Sequence, residues 1–131
     1  MALVFVEFWQ HQCCGEPFAV GEVVLWPLAP TSGDGMVRVI GSELGSQVAW
    51  AVERHADVFT TVSGTVRALT SVFNQTEHVE EHPEGPHTRV KAGSGVMQPV
   101  ARTQSAEYLD DYEWSGYLVD LINVSGLPAA P

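Results

Sequence analysis

Two stretches of this chain, V-S-G-T-V-R-A-L-T-S-V at 62–72 and W-S-G-Y-L-V-D-L-I-N-V at 114–124, share Ser, Gly, Leu and Val in register. An earlier G-E-V-V-L-W, starting at Gly21, begins the same way. Each sets a glycine at the mouth of an apolar, partly β-branched run. Such side chains suit a pleated surface, and a glycine there marks a bend or a close backbone approach that a Cβ would obstruct. Repeated kinks of this kind let a sheet curl. The expectation is a mainly β chain, a small β-barrel or barrel-like sandwich of five to seven strands with one short helix.

The remaining segments fit that frame. Residues 3–9 (LVFVEFW) and 19–28 (AVGEVVLWPL) read as strands, the second ending at Pro27, joined by a C-C-G-E-P-F connection. Asp34 to Gly45 is the one helix candidate, with Asp34 as cap, Gly45 as stop, and Val37, Ile40 and Leu44 on one face. Residues 47–54 (QVAWAVER) alternate like a strand. The polar stretch from Asn74 to Gly95 reads as a long excursion, with short strands at 89–92 and 96–101. The run 114–124 is apolar on both faces apart from Asp120 and Asn123, which predicts a central strand. With 131 residues, the chain suits a single domain over 1–126 followed by a loose tail at 127–131.

Composition narrows the function. Sixteen acidic residues against six basic ones give a net charge of −10. Nucleic-acid binding depends on clustered Lys and Arg displacing counterions, so it is not expected; neither is an anionic membrane surface. No apolar run reaches the length of a membrane-spanning helix, and the apolar start carries Glu7 without a basic leader. The expectation is a cytoplasmic protein with a small molecule or a protein as partner.

Both cysteines, Cys13 and Cys14, lie in W-Q-H-Q-C-C-G-E-P-F at 9–18. Adjacent cysteines can close a vicinal disulfide, although disulfides are uncommon in the cytoplasm. The favoured reading is a compact turn in which the sulfurs pack as small hydrophobes beneath the sheet. Two alternatives compete with it. One is a zinc site drawn from His11, Cys13, Cys14 and His55, which needs four ligands, or three and water. The other is a nucleophilic thiol assisted by His11 or His55.

The pattern W-Q-x-x-C-C-G-x-P-F-x-V-G-x-x-V-x-W at 9–26, the V-x-W…H segment at 48–55 and the closing S-G-Y-L-V-D-L at 115–121 resemble a family of small uncharacterised bacterial proteins, chiefly actinobacterial. The resemblance implies a stand-alone domain of unknown function and transfers no activity. It marks Cys13, Cys14 and His55; where the family often carries paired histidines, this chain has Arg54 before His55.

Three further features carry candidate chemistry. His78, Glu81 and His82 spell an inverted zinc-peptidase motif, but Pro83 follows at once and denies it a helix. Incidental capture of a divalent metal by His78, His82 and His87 fits better, and a solvated loop better still. Asp120 interrupts an apolar strand and needs a partner, for which Arg67 is the candidate; its alternative role is general acid or base. Trp9, Trp26, Trp50 and Trp114 each fall on a predicted strand or strand end, where packing explains them; the functional alternative is a ligand-binding mouth that they line.

The reading is a small binding module with no resident cofactor, able to self-associate as a homo-oligomer through an exposed sheet edge. Its competitor is a thiol- or metal-dependent enzyme centred on Cys13 and Cys14 with His11 or His55.

Overall fold

The computed structural model describes residues 2–31, 33–55, 60–79 and 87–127. In chain order the elements are β1 (Ala2–Glu7), α1 (Phe8–Cys14), β2 (Val23–Pro30), α2 (Gly33–Ile40), α3 (Ser42–Gly45), β3 (Trp50–Val52), β4 (Thr60–Asn74), β5 (Thr76–Val79), β6 (His87–Val90), β7 (Val96–Pro99) and β8 (Glu113–Ser125). The two glycine-opened stretches are the longest strands, and they pair antiparallel along nearly their whole length. The main sheet runs β2-β3-β1-β8-β4-β7, and a further pairing of β2 with β4 closes five of its strands into a barrel. All neighbours are antiparallel except β1 and β3. β8 is central, between β1 and β4, as its two apolar faces require.

Alternation sorts the side chains. Val4 and Val6 of β1, Trp26 and Leu28 of β2, and Val119 and Leu121 of β8 fill the barrel interior. Each such burial stabilises by roughly 1.5–3 kcal/mol. Phe5, Val72 and Leu118 point outward instead and lie under Met36, Val39, Ile40 and Leu44 of the helical pair. The outer face of β1 and β8 thus carries an apolar patch of its own under the helices.

Several sequence expectations are corrected here. The helix read as one piece from Asp34 to Gly45 is two, because Gly41 takes φ +92°, a left-handed conformation that stops α2 before α3 begins. Residues 8–14, read as strand end and turn, form the helix α1. The second strand begins at Val23 and runs through Pro27 to Pro30. Pro27 survives inside it because the missing N–H falls where β2 passes from β4 to β3; its carbonyl still accepts from the Glu53 N–H at 2.9 Å. β1 and β2 are not neighbours, since β3 lies between them. The excursion after Asn74 is the β5–β6 hairpin, with residues 80–86 outside the described set. Leu127, assigned to the tail, packs against the barrel core.

Candidate functional site

Helix α1 leaves β1 directly and ends at Gly15, whose N–H returns to the His11 carbonyl at 3.1 Å. Its buried face is polar, made of Gln10 and His11. The Gln10 side chain, 1% exposed, donates to Glu53 Oε1 at 3.0 Å and accepts from the Arg54 N–H at 3.3 Å. The same Glu53 oxygen accepts from the His55 N–H at 2.8 Å. These bonds clamp 53–55 against the helix and deliver His55 to its outer face, where Cys13 and Cys14 are exposed.

The two cysteines are joined as a vicinal disulfide. His55 Nε2 lies 3.5 Å from Cys13 Sγ and 3.3 Å from Cys14 Sγ. Disulfide sulfurs carry no proton, so any hydrogen between them and the ring belongs to Nε2. Trp9 stacks on a face of the imidazole, at 5.4 Å between centroids and 25° between planes. The indole is fixed in turn by a 2.7 Å bond from its Nε1 to Glu7 Oε2. Beside Cys14 opens a cleft of about 410 Å³, walled by Glu16, Phe18, Trp26 and Arg54. Burial works against the Arg54 charge and Glu16 supports it.

The favoured reading of the sulfurs as buried packing groups is therefore overturned. A helix ending at the surface replaces the expected turn, and its inward positions go to Gln10 and His11. His11 is likewise not a partner of the cysteines. It is 6% exposed, ringed edge-on by Phe18, Trp114 and Tyr117, and donates from Nε2 to the Gln104 carbonyl at 3.0 Å. Desolvation holds its pKa below the usual 6.5, with Arg54 adding to the lowering while the Gln104 carbonyl and Glu107 oppose it. The unfolded chain, with the higher pKa, then takes up the proton first, so stability is lost as pH falls below 6.5 and is untouched above it. The thermal midpoint is expected to drop as pH falls below 6.5; a His11→Gln chain should start lower and change less over that interval.

The other predicted residues lie elsewhere. The four tryptophans do not share one mouth. Trp26 is 6% exposed in the barrel core, Trp50 sits in a separate cleft with Leu3 and Gln47, Trp114 lines another with Phe8 and Met36, and Trp9 covers His55. Asp120 meets the expected Arg67, whose Nε donates to Asp120 Oδ2 at 2.9 Å, with a second bond from Nη2 to the same oxygen; the pair stands on the outer surface of the barrel. His82 lies outside the described residues. His78 faces Thr88 and His87 faces Val79 in the β5–β6 register, so the two imidazoles leave opposite faces of the hairpin. Among the described residues the one group of three potential metal ligands is Cys13, Cys14 and His55. Sequence reasoning missed the Gln10–Glu53 clamp, because Gln10 sits in the polar run Gln10-His11-Gln12, which gives no sign of burial.

No helix among the described residues is long and apolar enough to cross a membrane. The family model described as a family of unknown function (DUF6578) matches residues 1–123. No curated protein and no solved structure matches the chain.

Proposed function

We propose, for a chain that belongs to the DUF6578 family of unknown function, a thiol–disulfide function in which Cys13 and Cys14 alternate between a disulfide and a dithiol beside His55. The observation that carries it is an exposed sulfur pair with one imidazole nitrogen within 3.5 Å of both atoms. The adjoining cleft at Cys14 offers room for the body of a small thiol.

The chemistry balances with two equivalents of thiol. A thiolate attacks one sulfur, the S–S bond breaks, and the departing cysteine thiolate takes a proton held by His55. A second thiolate then attacks the external sulfur of the mixed disulfide, and the other cysteine leaves as a thiolate that takes a proton from solvent. The net change is protein disulfide plus two thiols to protein dithiol plus the small-molecule disulfide. His55 suits the relay because its Nε2 stands within reach of whichever sulfur departs. In a reducing cytoplasm the dithiol would be the resting form, and the disulfide the oxidised signal or turnover state.

Incubation of native protein with a small thiol should release two titratable cysteines per chain. His55→Ala should slow that release on the order of 10²-fold, with the same final count. Thiols that appear only after denaturation would defeat the proposal.

A second reading, as a docking module for a protein or another copy, draws on Val23 and Leu25 of β2, which are 74% and 69% exposed. A native mass that rises with concentration, and falls back in Leu25→Lys, would favour it.

A further inference from the structure

We infer that the reduced pair and His55 together bind one zinc ion, in a Cys2His set whose fourth position is open to water. This rests on the pair being reducible, as above, and adds to it a ligand and a means of control.

The geometry is nearly in place before the metal arrives. The three ligand atoms lie within 4.8 Å of one another. Zinc bonds of about 2.3 Å to sulfur and about 2.0–2.1 Å to nitrogen, at tetrahedral angles, set sulfur and nitrogen about 3.5 Å apart. His55 Nε2 stands 3.3 and 3.5 Å from the two sulfurs. Only the sulfurs must move, parting from a covalent bond to a separation of about 3.8 Å. The imidazole is stacked on one face by Trp9, and the Glu53 bond to the His55 N–H fixes the backbone that carries the ring. Orientation of a ligating ring by groups behind it is what raises metal affinity.

The donor set selects the ion. Two thiolates and an imidazole suit zinc and exclude magnesium and calcium, which take oxygen ligands. Binding forms two Zn–S bonds and one Zn–N bond, and the two thiols give up two protons to solvent. His55 must then carry its proton on Nδ1, opposite to the tautomer that faces the disulfide. Closing the disulfide removes both sulfur ligands at once, so the oxidised chain holds no zinc there.

The test uses the full chain, reduced with a phosphine, desalted without oxygen and checked for two thiols. Zinc is titrated against a chromophoric chelator, and cobalt(II) in parallel for its thiolate charge-transfer band. One equivalent should bind, with two protons released and the cobalt band present. Cys13→Ser, Cys14→Ser and His55→Ala, all at exposed positions, should each weaken binding at least tenfold. The triple variant His78→Ala/His82→Ala/His87→Ala should bind as before, and the disulfide form should not bind. Two free thiols without zinc would overturn the metal inference and leave the redox proposal standing. Zinc that vanishes with the three histidines and survives Cys13→Ser would overturn it equally. Failure to release any thiol would remove both.

Discussion

Gly116→Val is expected to unfold the chain or bring it close to unfolding. Gly116 lies in β8 opposite Glu7 of β1 and Val72 of β4, at φ +149°. A Cβ built there would strike the Val6 carbonyl oxygen and crowd the Phe5 ring. The carbonyl belongs to a strand held from both sides, so it has nowhere to retreat. Backbone strain of about 1–3 kcal/mol and overpacking of about 1–3 kcal/mol act together. Their sum is a large share of the roughly 5–15 kcal/mol that keeps a small domain folded. Urea unfolding followed by tryptophan fluorescence measures it. Gly116→Ala should show a smaller loss of the same sign, and a wild-type midpoint for Gly116→Ala would refute the reasoning.

The second large effect belongs to Tyr117, which is 0% exposed. Its hydroxyl donates to Glu107 Oε2 at 2.7 Å and accepts from the Gln104 N–H at 2.9 Å. Desolvation, then the bond to Glu107, push its pKa above the usual range, so it stays a phenol throughout the working pH of any protein. The ring packs edge-on against His11, Phe18 and Trp114. Tyr117→Phe keeps the ring but strands two polar partners, at a cost of about 1–3 kcal/mol. Tyr117→Ala adds a cavity, which for a large aromatic costs about 3–5 kcal/mol. The two variants should therefore lie well apart in denaturant midpoint. Equal losses would mean that the hydroxyl network, and not the ring, holds the loop at 104–107.

How much of this was written in the chain varies with distance along it. The segments 62–72 and 114–124 announced long strands because their branched residues and opening glycines act locally, and the closed barrel follows from curling them. Asp120 announced a partner because a carboxylate among leucines has few other options, and Arg67 is that partner. Helix α1 was illegible for a physical reason: its buried positions are Gln10 and His11, so no apolar stripe betrays it. Their burial depends on Glu53, Arg54 and Gln104, which lie 43, 44 and 93 residues away. The site shared that fate. The pattern of Cys13, Cys14 and His55 could be singled out, but that the sulfurs face water and are bonded to each other depends on which face of α1 turns inward.

The place of β8 bears on how such a chain is made. The six residues of β1 pair with Gly116 to Leu121, so β1 waits for a partner from the far end of the described fold. Its other neighbour, β3, matches only Val4 and Phe5. Pairings this remote form slowly, and an apolar ribbon without a mate invites association. While the chain emerges from the ribosome, β1 therefore stays without its partner in β8 until residues 116–121 have followed.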